Sequence, residues 1–175
     1  MRYVGAAYRA HDPRWSYRPI SGDGAAIHGG RFNPAGSPAL YMSLEASTAI
    51  REASQGFARK MEPLVLCSYE VDCEDIVDLT DQRVRRDLNV AEADLAAPWF
   101  ALKSAGKEPP QWALLRRLRA TRTTGVLVPS FAPGADATDK NLVLWDWWDW
   151  GPTLPHRVDV FDPSGRLPKN QLSWD

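Results

Sequence analysis

The chain has 175 residues, of which 44% are hydrophobic and 25% are charged. This balance suits one folded domain, spanning residues 1–175, with its own hydrophobic core, and it excludes a disordered chain. The net charge of −1 excludes a general electrostatic attraction to nucleic acid or to anionic lipid. We therefore expect no direct nucleic-acid binding.

The sequence also argues against membrane and metal chemistry. It has no apolar run of about 18 residues, and its N-terminus lacks the features of a signal peptide, so we expect a cytoplasmic protein with no membrane partner. Cys67 and Cys73 lie too far apart for a CxxC motif, and the three histidines have neither i, i+4 spacing nor companion cysteines. This pattern predicts reduced thiols and no metal site.

In chain order, alternating residues first predict a strand over 3–9. Residues 10–37 are dense in glycine and proline and predict a long loop, which in a compact domain is usually functional. A short apolar run predicts a strand over 39–42. Apolar residues at steps of three and four then predict an amphipathic helix over 44–60, with Ser43 as its N-cap.

The remaining elements complete an α+β pattern. Strands and helices are both predicted in the middle of the chain. The strands span 64–71 and 75–79, and the helices span 81–88 and 91–105, the latter with an interruption at Pro98, while Pro109 and Pro110 open another helix. The last third is rich in strands, which are predicted over 125–129, 141–145 and 157–161. The regular βα alternation of a doubly wound sheet is absent, so the sequence predicts the α+β class.

The stretch from His28 to Glu52 contains the strongest candidate for a binding loop. Gly29 and Gly30 come directly before Arg31, so the backbone there can bend sharply or approach a ligand closely. A guanidinium held in such a loop suits phosphate oxygens.

Two further candidates follow on the predicted strand and helix. Tyr41, at the end of the strand, can supply an aromatic face or a hydroxyl. Glu52 lies about two turns into the helix, where the small residues Thr48 and Gly56 leave space for a ligand over its carboxylate. Each residue alone also has an ordinary explanation in packing or surface exposure, and their spacing names no reaction.

Two stretches nearer the C-terminus each allow two interpretations. Ser130 follows an apolar strand without a Gly-x-Ser-x-Gly elbow, which argues against a serine nucleophile and leaves a ligand-binding hydroxyl or a turn residue. Trp145, Trp147, Trp148 and Trp150 fall within six residues. Such a cluster indicates core packing, a protein-binding surface or a surface on which sugars stack.

The motifs taken together resemble the RES-domain family. The matching stretches are, in order, GGRFNPAGSPALYMSLEASTAIRE, GVLVPS, NLVLW and FDPSGRLPKNQLSW. The resemblance runs from YRA near the start to LSW at the end, and within the family the chain resembles the ParT-type toxins. The Arg, Glu and Ser that give the family its name match Arg31, Glu52 and Ser130.

The resemblance implies the toxin component of a bacterial toxin–antitoxin pair. The implied fold is like that of ADP-ribosyltransferases, with two small, mainly antiparallel sheets around a cleft and flanking helices. The implied activity cleaves NAD, as substrate and without a metal, at the nicotinamide–ribose bond. ADP-ribose then passes to a protein, for which phosphoribosyl pyrophosphate synthetase is a suggested target, or to phosphate or water. The implied partner is an Xre-like helix-turn-helix antitoxin that blocks the active site.

The resemblance also implies a role for each candidate residue. Positive charge develops on the ribose as nicotinamide leaves, and a nearby carboxylate stabilises it, which is the role expected of Glu52. Arg31 is expected to bind the phosphates or a ribose, and Tyr41 to pack on the nicotinamide ring. Ser130 and Asn33 are expected to bind the ligand. An arginine cannot act as a general base at neutral pH, so Arg31 differs from the histidine of the diphtheria-toxin branch.

Two alternatives to protein modification remain at this point. The first is an NAD phosphorylase or glycohydrolase that depletes the cellular pool, because phosphate, water and a protein side chain can all attack the same electrophilic carbon. The second is a non-catalytic protein-binding module that uses the tryptophan-rich segment 145–150.

Overall fold

The computed structural model describes residues 1–54, 62–147 and 156–174. In these residues seven strands form one sheet, namely β1 (Tyr3–His11), β2 (Leu40–Ser43), β3 (Val65–Cys73), β4 (Ile76–Asp78), β5 (Gly125–Pro129), β6 (Lys140–Leu144) and β7 (His156–Val160). Their order in the sheet is β4-β5-β6-β2-β1-β3-β7. β4 and β5 are parallel, and the other neighbouring pairs are antiparallel. The α+β class is thereby confirmed.

The helices are short and flank this sheet. They are α1 (Asp23–His28), α2 (Ala46–Ala53), α3 (Gln82–Asp87), α4 (Glu92–Ala96), α5 (Trp99–Ser104) and α6 (Pro110–Arg119), with single 3-10 turns at Pro13–Trp15 and Gln171–Trp174. Pro98 separates α4 from α5, as predicted, and Pro110 is the first residue of α6. None of the described helices is long and apolar enough to cross a membrane.

The core has two parts, because β5 and β6 bury both of their faces. Successive side chains of a strand point to opposite faces of the sheet. Leu127, Leu142 and Leu144 therefore pack in one cluster, with residues of β1 and β3. Val126 and Val143 pack in the other, against the apolar face of α6. This double burial explains why both strands are continuous apolar runs in the sequence.

The prediction of two separate sheets is wrong. β1 and β2 pair at one position, Tyr8 opposite Ser43, whereas β1 pairs with β3 along its whole length. That single pair joins β4-β5-β6-β2 to β1-β3-β7 and makes them one sheet. Hydrophobic patterns locate strands but do not reveal whether two ribbons touch at an edge, so the sequence could not predict this junction.

The predicted strand boundaries agree with the structure within about two residues, and the larger differences lie around the second strand. The predicted loop over 10–37 contains α1 and a 3-10 turn. Ser43 does not cap a helix: it is the last residue of β2, and its hydroxyl donates to Asn141 Oδ1 at 2.7 Å. α2 begins after Glu45 and ends at Ala53, and the rest of the helix predicted to residue 60 lies mostly outside the described residues.

Candidate functional site

A cavity of about 410 Å³ lies beside the junction of β1 and β2, and we call it the junction cavity. Both residues of the joining pair line it, as do parts of β6, α2 and the loop after α1. Arg31, Tyr41 and Glu52 all line it too. The structure therefore brings the three predicted catalytic residues together, in a space of the size that small-molecule sites occupy.

The Glu52 carboxylate is held by two hydrogen bonds to one of its oxygens. α2 carries the residue to the cavity, where Oε1 accepts from Ser130 Oγ at 2.6 Å and from Asn141 Nδ2 at 2.5 Å. The side-chain oxygen of Asn141 accepts in turn from Ser43. Residues from β2, from β6 and from the loop after β5 thus fix the orientation of the Glu52 carboxylate. Ser130 is not among the residues that line the cavity, so its contacts favour positioning Glu52 over touching a ligand.

Asp139 is almost fully buried and lies, like Ser130, in the loop between β5 and β6. It connects this loop to α2. The Thr48 hydroxyl and the Arg51 guanidinium both donate to its carboxylate. The hydrogen bond from Thr48, with those from the Asp136 backbone and Arg51, lowers the pKa of Asp139. Thr48 is buried in this network and is not among the residues that line the cavity, so the space predicted over Glu52 beside it stays a prediction. The other small neighbour, Gly56, lies outside the described residues.

The Arg31 guanidinium is positioned by backbone oxygens and an aromatic ring. Nη1 donates to Leu95 O at 3.2 Å and to Ala97 O at 2.8 Å. The guanidinium carbon lies 4.4 Å from the centre of the Phe131 ring, within cation–π range. Burial lowers the pKa of Arg31, and the nearby Glu52 carboxylate opposes that shift. The side chain remains a cation at neutral pH.

The Tyr41 hydroxyl contacts the glycine-rich loop. It donates to Asn33 Oδ1 at 2.7 Å and accepts from the Phe32 backbone N–H at 2.9 Å. Burial raises the pKa of Tyr41, so the hydroxyl stays protonated. A Cβ atom at Gly30 would lie only 2.6 Å from this hydroxyl. A glycine is therefore needed where the loop passes the tyrosine.

Asn33 lies behind Tyr41 and is fully buried. Its Nδ2 donates to Ala25 O and to Ser37 O, both at 2.8 Å, while its Oδ1 accepts from Tyr41. It is not among the residues that line the junction cavity. Its predicted ligand binding stays a prediction, and its contacts favour a role in shaping the loop.

Two indole groups also bind the backbone of this loop. Trp112 Nε1 donates to Gly30 O and Trp145 Nε1 donates to Phe32 O, each at 2.9 Å. Trp147 donates to Ile20 O at 3.0 Å and packs against the core. The two described tryptophans of the 145–150 segment therefore serve internal packing. Trp148 and Trp150 lie outside the described residues.

Sequence reasoning did not identify Asn141 or Phe131 as site residues. Asn141 opens the NLVLW motif, where a polar residue begins an apolar strand. Phe131 directly follows Ser130 at the end of the GVLVPS motif. Both side chains line the junction cavity. A signal for each was present in the sequence, but only the pairing of β2 with β6 brings Asn141 beside Ser43.

Tyr41→Phe should destabilise the fold, because it leaves the Phe32 N–H and the Asn33 oxygen without their partner. We expect the free energy of unfolding to fall by about 1–3 kcal/mol in chemical denaturation. Tyr17→Phe is the matched control, since its ring stacks on Trp15 and the residue does not line the junction cavity. Equal stability of the Tyr41→Phe variant and the wild type would show that the hydroxyl does not hold the loop.

Together, the fold and the site define a small α+β domain with a cavity of about 410 Å³ whose lining includes an arginine and a glutamate. The chain belongs to the RES domain family, whose model matches residues 6–167. This confirms the resemblance drawn from the motifs. No curated protein matches the sequence.

A solved structure shares the fold. It is the crystal structure of the M. tuberculosis MbcT-MbcA toxin-antitoxin complex, in which the matching chain is 23% identical in sequence with a TM-score of 0.57. The match covers 82% of this chain and 75% of that one. At this identity the likeness establishes the fold alone.

Proposed function

We propose that this protein is the toxin component of a bacterial toxin–antitoxin pair and that it cleaves NAD and transfers ADP-ribose to a protein. The observation that carries the proposal is the convergence of Arg31, Tyr41 and Glu52 on one cavity, with the Glu52 carboxylate held by Ser130 and Asn141. Membership of the RES domain family supports it.

Glu52 would stabilise the transition state. The bond between nicotinamide and C1′ of the ribose breaks, nicotinamide leaves as a neutral molecule with the bonding electrons, and positive charge develops on the ribose. The acceptor then bonds to C1′ and loses a proton, which the Glu52 carboxylate can take. Because hydrogen bonds already orient this carboxylate, little reorganisation is needed as the charge develops.

Arg31 would bind the phosphate end of the nicotinamide nucleotide in NAD, and Tyr41 would bind its nicotinamide end. The hydrogen bonds that Arg31 makes within the described protein use Nη1, so its other N–H groups can donate to phosphate oxygens. The hydroxyl of Tyr41 is engaged with the loop, which leaves its ring to pack on nicotinamide. Neither role requires a metal ion.

We also propose a protein antitoxin that covers the junction cavity. The structural neighbour was solved as a toxin-antitoxin complex, and the family resemblance implies an Xre-like helix-turn-helix partner. The alternative of a binding module based on tryptophans is less well supported, because Trp145 is 5% exposed and its indole binds the loop.

The direct test is to incubate the purified protein with NAD labelled in its adenylate half. Cell extract, phosphate or buffer alone is added, and the products are resolved by mass spectrometry. Label fixed on a protein, with phosphoribosyl pyrophosphate synthetase as the first to inspect, supports ADP-ribose transfer. Free ADP-ribose or its phosphate as the sole labelled product supports the phosphorylase or glycohydrolase alternative instead. Failure to release nicotinamide under all three conditions would contradict cleavage altogether.

Ser130→Ala should lower kcat for NAD cleavage by about tenfold and leave KM nearly unchanged, because a hydrogen bond that orients Glu52 is lost. Ser54→Ala is the matched control: its hydroxyl binds backbone oxygens of α2 and is not part of the cavity. Steady-state kinetics measure both. A large rise in KM with unchanged kcat would indicate that Ser130 binds the ligand itself.

A further inference from the structure

Arg9 is a second arginine of the junction cavity that strand patterns do not single out. It lies on β1 and lines the cavity beside Tyr8 and Ala10. Its Nη1 donates to Pro19 O and to Ser21 O, both at 2.9 Å. These two bonds hold the side chain in place and leave its other N–H groups available to a ligand.

The charge of Arg9 is not balanced by a carboxylate in the described part of the chain. No ion pair within 4.0 Å involves it there. Burial lowers the pKa of Arg9, yet an arginine stays charged at neutral pH. Arg9 is partly buried, and a cation withdrawn from water without a counter-ion is costly to keep. An anionic ligand in the cavity would supply the missing counter-charge.

The charged residues that line the cavity, within the described ranges, are Arg9, Arg31 and Glu52. This set has a net positive charge, and the pyrophosphate of a dinucleotide carries two negative charges. Arg31 lies near enough to Glu52 for the carboxylate to affect its pKa, whereas the groups that act on Arg9 are Tyr69 and Cys67. Glu52 therefore acts on the charge of Arg31 and is not among the groups that shift the pKa of Arg9.

We propose that Arg9 binds the pyrophosphate bridge of NAD from β1, together with Arg31 from the glycine-rich loop. The inference rests on the proposed function, since it takes NAD as the ligand. A guanidinium fixed by two backbone oxygens presents its remaining donors in a set direction, which suits phosphate oxygens. Arg9 contributes binding along the substrate and takes no part at the bond that breaks.

The first test measures binding without turnover. ADP-ribose contains the pyrophosphate and no scissile bond to nicotinamide, so calorimetry can report its affinity directly. Arg9→Gln should weaken the binding of ADP-ribose by about tenfold or more, and Arg9→Lys, which keeps the charge but not the fork of donors, by roughly threefold. Arg18→Gln removes the same charge from the neighbouring loop, outside the cavity, and should bind as the wild type does.

The second test separates binding from chemistry. For NAD, Arg9→Gln should raise KM by about tenfold and change kcat by less than about threefold. Thermal unfolding verifies the fold of each variant. If Arg9→Gln does not fold because the contacts to Pro19 and Ser21 are lost, Arg9→Lys provides the binding test.

Each outcome decides one proposal. A folded Arg9→Gln variant, or in its place Arg9→Lys, that binds ADP-ribose as tightly as the wild type would overturn the inference on Arg9. A fall in kcat with unchanged KM would also overturn it. If the wild type releases no nicotinamide from NAD but binds ADP-ribose in an Arg9-dependent way, the proposed reaction fails while the anion site stands.

Discussion

Glu52→Gln should reduce NAD cleavage by about a thousandfold, the size of effect seen when a preorganised electrostatic group is removed. The amide keeps an oxygen that can accept from Ser130 and Asn141, so the surrounding contacts survive. It lacks the negative charge that stabilises the ribose cation. Release of nicotinamide under saturating NAD measures the loss, and expression of the variant in bacteria should no longer inhibit growth.

The control for this variant is Glu45→Gln. Glu45 is the exposed residue before α2, its side chain makes no capping hydrogen bond, and it does not line the cavity. It loses the same charge near the same helix and should retain full activity. A Glu52→Gln variant that still cleaves NAD at the wild-type rate would exclude the carboxylate as the catalytic group.

Arg31→Met should lower kcat/KM for NAD by about a hundredfold, which corresponds to the loss of charge-assisted hydrogen bonds worth about 3 kcal/mol. Methionine retains an apolar stem that can pack on Phe131, so the substitution removes charge and donors more than packing. Arg31→Lys should recover part of the activity, since it restores the charge without the planar fork.

Arg85→Met is a matched control for the structural part of this change. The Nη1 of Arg85 also donates to two backbone oxygens, those of Leu79 and Thr80, but Arg85 is not among the residues that line the cavity. Both variants should lose stability in chemical denaturation, and Arg31→Met alone should lose activity. Equal kinetic losses in the two variants would mean that Arg31 acts only through the fold.

The convergence of Arg31, Tyr41 and Glu52 on one cavity could be predicted from sequence because the three residues lie close together in the chain. A loop, a strand and a helix follow one another between Arg31 and Glu52, and these three elements turn their side chains toward one cavity. The class of the fold followed from the order of strands and helices for the same reason. Both conclusions depend on local patterns, which a single sequence contains.

The rest depends on contacts between distant segments. Asn141 reaches Glu52 because β6 pairs with β2, and Arg9 reaches the cavity because β1 pairs with β2 at one position. Neither contact leaves a periodic signal in the chain. The predicted division into two sheets failed at the same place, since the choice between one sheet and two depended on the pair of Tyr8 and Ser43.

The pairing of β1 with β2 at Tyr8 and Ser43 is the shortest strand pairing in the described sheet, and the cavity lies beside it. Arg9 lies on β1 and Tyr41 lies on β2. A molecule that contacts both residues therefore ties together two strands that share few backbone hydrogen bonds. Binding in the cavity would then add contacts where β1 and β2 have only one paired position. The protein should therefore resist unfolding more strongly as the concentration of such a molecule rises.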